Sequence, residues 1–548
     1  MWNRNVRRWF GAWAIAVVAV AISASASVAA GPRSDRSHDR LSPVLDDVAR
    51  SGGPEFVDVI VTFDAQPGLL EHAALAALGA ATRRSYDHLP MVAVRVPARA
   101  LEATSRAHGV RFVSRDSEVS ALSNSSRVAA NVPGLGTYED NYFAGAGYRV
   151  AVIDSGVGAH PDIPLALQKD FVGTYNYAQD PYGHGTHVAG ILSGYGSASH
   201  FAHWGLAWNA PIVSLRVLDG QGKGNVSTML AAIDWLIANK TAQNVRVANL
   251  SLGKAIEEPA AQDPLVLAVE RLWDAGVVVV CSAGNYGRDG YGTITSPANS
   301  SKVVTVGSLT DGGTGSDHAD DSPSTFSSKG PTLYDHFLKP DLVAPGNRVV
   351  AAMSQEAKLK ADLPTRIASC GAYACSAPFL ELSGTSMAAP MVASTAIRMI
   401  GKEPSLTPAT VKARLMKSAR KIPGDPHEVG AGLLDVRAAL YATGYASAAP
   451  SPKLGRSADL QVIYIDDVAF TWGSGWSSAV LWSDAVLWSD AVLWSDAVLW
   501  SDAVLWSDAV LWSDMVANVN ALFESEAGAM SCTDDLGSSP VVASSSDR

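Results

Sequence analysis

Between residues 149 and 306, five short runs rich in Val and Ile occur at 149–153, 212–218, 245–252, 277–280 and 303–306. Stretches of helical period at 226–238 and 265–273 separate them. Runs of this length without polar alternation belong to strands buried on both faces, and parallel strands need helical crossovers between them. The alternation therefore predicts an α/β fold, a doubly wound and mostly parallel sheet covered by helices on both faces. Ligands of such sheets bind beyond the carboxyl ends of the strands. Asp154, Ser251 and Asn285, each just past a run, are expected to line one cleft.

Other residues can line that cleft. His184 sits in Gly183-His184-Gly185-Thr186-His187-Val188-Ala189-Gly190, a turn leading into a helix. Ser386 sits in Ser383-Gly384-Thr385-Ser386-Met387-Ala388-Ala389-Pro390, which also opens an apolar helix. A serine hydroxyl is a weak nucleophile at neutral pH. It needs an imidazole to take its proton, and a carboxylate to hold that imidazole in the right tautomer. A helix N-terminus offers backbone N–H groups to an oxyanion, and the Asn285 amide offers another donor. The His-Gly-Thr-His segment lacks the Glu that metal-dependent proteases place beside the first His. Each piece alone is weak, but Asp, His, Asn and Ser occur in this order, each in a full local signature.

Together these segments resemble the subtilisin-like serine proteases. The matching stretches are 152–156, 183–190, 249–253, 283–285, 326–331, 339–346 and 384–390. The resemblance spans most of residues 123–445. It implies a serine endopeptidase acting on proteins or peptides, with Ser386 as nucleophile, His184 as general base then acid, Asp154 as its orienter and Asn285 as oxyanion donor. It assigns Ser251, Leu252, Gly253, Gly222, Gly224 and Gly284 to substrate binding, with exposed strand edges adding an extended peptide as an extra strand. It implies no cofactor for the chemistry. Structural calcium is frequent in such proteins, and Asp162 and the acidic cluster at 317–321 are the residues weighed for it, without a definite site. His187 is expected as a packed helix residue rather than a catalytic one.

The first 122 residues read as two units. Arg4, Arg7 and Arg8 precede an apolar run to Ile22 and small residues to Ala30, the pattern of an export signal over residues 1–30. Cleavage fits after Ala30 or Ala26, and Arg7-Arg8-Trp9-Phe10 resembles a twin-arginine signal. A retained N-terminal anchor is the alternative. Residues 31–122 carry strands at 57–63, 82–86, 91–96 and 110–113 and helices at 69–78 and 98–108, a βαββαβ order of ferredoxin-like α+β type. By resemblance, this is an inhibitory propeptide of the I9 kind. Cleavage after Leu122 would make Ser123 the first mature residue, and the protein would be secreted or held at the cell surface.

The formal charge is −11, yet the last hundred residues hold 14 acidic and only 3 basic side chains. The remainder is close to neutral, which argues against nucleic acid as a partner, because that needs a basic face. Residues 446–458 read as a linker. In the tail, 459–548, the hexapeptide Ala-Val-Leu-Trp-Ser-Asp occurs six times over residues 479–514. A period of six is a multiple of two, so each residue type keeps one face of a strand, whereas on a helix the Trp residues spread over three faces. The tail is thus β or disordered, either an aromatic contact for cell envelope or polymer, or a duplicated spacer. A monomer is expected. Four Cys cannot frame a fold of this length. Cys370 and Cys375 are the disulfide candidates by proximity, or two reduced surface thiols. Cys281 reads as a buried free thiol.

Overall fold

The computed structural model describes residues 40–51, 54–121, 145, 147–173, 179–311, 320–370, 374–456 and 463–466. Residues 1–30, Leu122, Ser123, Asp317, Cys532 and the repeats at 479–514 lie outside them.

The N-terminal unit contains α1 (Pro43–Ser51), β1 (Phe56–Phe63), α2 (Leu69–Ala77), β2 (Ala81–Ser85), β3 (Met91–Pro97), α3 (Leu101–Ser105) and β4 (Val110–Arg115). The strands form one antiparallel sheet in the order β2-β3-β1-β4. Strand period two sorts its side chains. Val59, Val61, Phe63, Val92, Val94 and Val96 face the unit's own core, whereas Ile60, Met91 and Ala93 belong to the core cluster of the large domain. The sheet is therefore buried on both faces, one by its own helices and one by the neighbouring domain. Helix α1 has no counterpart in the pattern read from the sequence, and the expected second helix is a 3₁₀ turn followed by the short α3.

The large domain begins with β6 (Arg149–Asp154), after the single strand β5 (Glu118–Ala121) has left the small unit. It continues through β7 (Leu165–Asp170), α4 (His184–Ser193), β8 (Ile212–Arg216), β9 (Lys223–Asn225), α5 (Val226–Asn239), β10 (Val245–Leu250), β11 (Leu252–Gly253) and α6 (Pro264–Asp274). Then come β12 (Val278–Ser282), β13 (Val304–Thr310), β14 (Ser322–Pro323), β15 (Leu342–Pro345), β16 (Val349–Ala352), β17 (Phe379–Leu382), α7 (Thr385–Lys402) and α8 (Pro408–Ser418). The main sheet runs β14-β13-β12-β10-β6-β8-β7, with β15 also on β13, and is parallel except at β14. Val150, Ala151, Val152 and Ile153 are each at most 1 % exposed, which is why the run reads as continuous apolar sequence. Each such Val or Ile side chain contributes about 1.5–3 kcal/mol by leaving water. Helix α6 starts where Asp263 accepts from Leu265 N at 2.8 Å, with Pro264 at its first position.

Two boundaries differ from expectation. The run 245–252 is not one strand. The chain breaks at Ser251 and resumes as β11 in a separate three-stranded sheet, β11-β5-β9. Residues 446–454 do not behave as a linker either. Ser451 Oγ donates to Asp341 Oδ1 at 2.6 Å, and Leu454 is buried. Asp341 lies between the buried ammonium groups of Lys339 and Lys412, and Ser451 completes their hydrogen bonding, a long-range demand that an Ala- and Pro-rich composition does not disclose.

Candidate active site

Asp154 is the last residue of β6, and β6 lies between β8 and β10, where the chain crosses from one side of the sheet to the other. Its carboxylate is therefore delivered to the cleft the strand pattern predicts. Asp154 Oδ1 accepts from His184 Nδ1 at 2.8 Å and from Ser155 N at 2.7 Å. Both side chains are fully buried. Because a carboxylate accepts, Nδ1 carries the hydrogen and Nε2 presents its lone pair. That Nε2 is buried and has no hydrogen-bond partner among the described residues.

Ser386 is the second residue of α7. This helix is buried on every side from Thr385 to Ile400, as its all-round apolar sequence implies. Pro390 sits inside it and has no N–H, so the carbonyl four residues back, that of Ser386, loses its helical partner. Ser251 Oγ donates to that carbonyl at 3.0 Å, and Ser386 Oγ donates to Ser251 O at 3.0 Å. The break at Ser251 thus serves the helix that carries the nucleophile candidate. Asn249 Nδ2 donates to Ser251 Oγ at 2.9 Å and holds the arrangement from β10.

Asn285, three residues past β12, is oriented by the same helix end. Its Oδ1 accepts from Thr385 N at 3.0 Å and from Thr385 Oγ1 at 3.1 Å. The amide is thereby fixed with Oδ1 toward Thr385, and Nδ2 is buried without a hydrogen-bond partner among the described residues. A buried donor left unpaired costs about 1–3 kcal/mol, so a site that keeps one is built for an acceptor that arrives later. Gly284 N donates to Thr385 Oγ1 at 3.2 Å, which ties the strand exit to the helix start.

The peptide-pairing segments come together as edges. β5 lies between β11 and β9, antiparallel to both: Ala121 and Ser120 pair with Leu252 and Gly253, and Ser120 and Val119 with Lys223 and Gly224. Gly222 and Gly224 answer to their own domain. Gly222 has φ 76° and a Cβ there would stand 2.6 Å from the Tyr182 ring, while a Cβ on Gly224 would stand 2.4 Å from Val217 O.

His187, one helical turn beyond His184, donates from Nε2 to Leu380 O at 2.9 Å. Burial pushes its imidazole down to about 3, so it stays neutral and pins α4 to β17, the strand leading to Ser386. Cys370 and Cys375 form a disulfide, and the adjoining Ser376 N donates to Ala198 O at 2.9 Å. Cys281 is buried and has no disulfide partner among the described residues, its thiol pushed up to about 12 by burial. Of the residues weighed for calcium, Asp317 lies outside the described residues. Asp162 Oδ1 accepts from Ser197 Oγ at 2.6 Å and Ala198 N at 2.9 Å. Among the described residues no three His, Cys, Asp or Glu side chains cluster as a metal would need.

Asp180 and the acidic partners of Lys254 escaped the sequence reading, which singles out Lys254 and Tyr286 only as residues flanking matched motifs. Asp180, fully buried, bonds to the residues around both Asp154 and His184, and burial raises its carboxyl above the ordinary range. Lys254, next to Gly253, turns inward to Asp263 at 3.2 Å and Glu258 at 3.5 Å. Burial and the neighbouring Asp263 push Glu258 up to about 8. A helix-start aspartate and a buried lysine leave no local pattern, although the Asp-Pro pair at 263–264 is a readable cap.

Comparison with known proteins places the chain in a family. The model of the "Subtilase family" matches residues 145–432. Serine protease AprX of Bacillus subtilis is 34% identical over 341 residues, covering 60% of this chain and 74% of that protein. Subtilisin DY of Bacillus licheniformis is 31% identical over 299 residues, 54% of this chain and 92% of its own length. Fervidolysin from Fervidobacterium pennivorans, described as a keratinolytic enzyme related to subtilisin, shares the fold. Its TM-score is 0.56 at 19% identity, over 75% of this chain and 65% of that one.

Proposed function

Because the chain belongs to the subtilase family and is a subtilisin-like serine endopeptidase, we propose that it cleaves peptide bonds through Ser386, His184 and Asp154, is exported, and is made as a self-processed zymogen. The observation that carries the catalytic part is the buried Asp154–His184 hydrogen bond, with Nε2 of the same imidazole left without a partner. In this reading Nε2 takes the proton of Ser386 Oγ as the hydroxyl attacks the scissile carbonyl. Asp154 holds the tautomer and stabilises the imidazolium that results. The tetrahedral oxyanion receives Asn285 Nδ2 and the Ser386 N–H of the first helical turn. His184 then returns the proton to the leaving amine, and water repeats the sequence on the acyl-enzyme. In the structure the Ser386 hydroxyl is given to Ser251 O, so the nucleophile swings from that carbonyl toward His184 when it reacts.

The zymogen part is supported by β5. It is the last described stretch of the N-terminal unit, and it lies as the middle strand between two edges of the large domain. An extended substrate would add in the same way. Leu122 then precedes the first cut, in keeping with an apolar side chain at that place. Export rests on the pattern of residues 1–30.

A serine-directed phosphonate is expected to label the wild type and leave Ser386→Ala unlabelled. Absence of label on the wild type would overturn the catalytic reading. Mass spectrometry of the secreted protein is expected to find Ser123 as the first residue. A start well beyond Val132 would remove the assignment of β5 as the first product.

A further inference from the structure

Asp180 accepts four hydrogen bonds in a site closed to solvent. Oδ1 takes Ser155 Oγ at 2.8 Å and Gly183 N at 2.7 Å, and Oδ2 takes Thr186 N at 2.8 Å and Thr186 Oγ1 at 2.6 Å. Two of these partners pass the connection on: Ser155 Oγ accepts from Gly185 N at 2.9 Å, and Thr186 Oγ1 accepts from Gly158 N at 2.9 Å. The bonds join the segment after Asp154 to the segment around His184. Ser155 follows Asp154, Gly185 follows His184, and the Ser155–Gly185 bond runs beside the Asp154–His184 bond. The two backbones are close enough that a Cβ on Gly185 would stand 2.1 Å from Gly156 O and 3.1 Å from Asp154 Cβ. Such a gap admits no slack, so whatever holds the two segments together also sets the distance between the reacting side chains.

All four partners of Asp180 are used as donors, so they call for two acceptor oxygens at short reach. An amide at this position turns an N–H toward at least one other N–H. A plain helix cap needs only one or two such bonds, all to its own helix. Asp180 spends one on the strand side and one on a hydroxyl that also holds the strand exit. We infer that Asp180 is a positioning residue for peptide hydrolysis: it clamps the exit of β6 to the start of α4 and thereby fixes Asp154 against His184. The inference rests on the roles proposed above for Asp154, His184 and Ser386.

The test uses the full chain as wild type, Asp180→Asn and Ser155→Ala, with Ser386→Ala as the unlabelled control. Three quantities are read on folded, purified protein: phosphonate labelling rate, kcat and KM on a peptide substrate, and the low-field proton resonance of the Asp154–His184 hydrogen bond. A misplacement of about 1 Å costs about a hundredfold in rate. For Asp180→Asn we expect kcat and labelling to fall about 10- to 100-fold with KM within about twofold, and the low-field proton to shift or vanish. Ser155→Ala is expected to move all three in the same direction by less. A folded Asp180→Asn with kcat within about twofold of wild type and an unmoved proton would reduce Asp180 to a helix cap and overturn the inference. If Asp180→Asn does not fold, Ser155→Ala decides by the same readings, and wild-type values there overturn it. Failure of the wild type to label would remove the triad itself, a result distinct from a labelled wild type beside an indifferent Asp180→Asn.

Discussion

The two halves of the site are built on opposite rules. On the Asp154–His184 side, Asp154 Oδ1, His184 Nδ1 and both oxygens of Asp180 have partners, while Asp154 Oδ2 and His184 Nε2 are buried without one among the described residues. On the Ser386–Asn285 side, Ser251 and Thr385 bond to the backbone and the Asn285 carbonyl oxygen, but Asn285 Nδ2 is buried with no partner among the described residues. In the first half the bond between the two side chains is formed before substrate arrives. The second is completed by substrate, because its buried donor is paid for only when an oxyanion forms. The difference teaches that geometry is stored in one half and differential binding in the other.

The contrast can be broken at several points. Ser386→Ala removes the reacting atom without disturbing the helix, and kcat is expected to fall about 10⁶-fold, a magnitude carried over from subtilisin itself. Thermal unfolding of the variant should match the wild type. Asp154→Asn leaves the first half in place but offers an N–H to Nδ1. The imidazole then takes the wrong tautomer, and a loss of about 10⁴ in kcat is expected, measured with KM on the same peptide. Asn285→Ala acts on the second half only. The expected loss is about 10²–10³ in kcat with little change in KM, again a size known from subtilisin. An equal rise in KM would mean that the amide binds the ground state and that the two halves do not divide as described.

The smallest effect concerns stability. Lys254, which follows β11 in the chain, is buried with Glu258 and Asp263, one positive against two acidic groups. Glu258 is raised from the ordinary glutamate value to about 8, so the folded protein binds more protons than the unfolded chain between those two values. Its contribution is present below the ordinary value and is lost as pH rises through about 8. Glu258→Gln leaves Lys254 and Asp263 as a balanced pair. A melting series from pH 4 to 9 is expected to lose part of its downward slope in this variant. An unchanged slope would show that Glu258 is not the group responsible.

The strand runs, the order of Asp, His, Asn and Ser, and the ββ-rich N-terminal unit were all legible because each is written in local pattern. Val150 to Ile153 are apolar because both faces of β6 are covered. Gly185 lies in a readable motif, although its reason, a backbone 2.1 Å from where a Cβ would sit, is visible only in three dimensions. Periodicity and residue chemistry along the chain point to a parallel α/β architecture and to four side chains, Asp154, His184, Asn285 and Ser386. Three features emerge only in three dimensions: Ser251 interrupts a strand to serve the carbonyl freed by Pro390, β5 lies between β11 and β9, and Asp180 reaches Ser155 beyond β6. Those are contacts between residues 25 to 135 positions apart, and hydrogen bonds at such separations depend on where backbones meet rather than on any neighbouring residue.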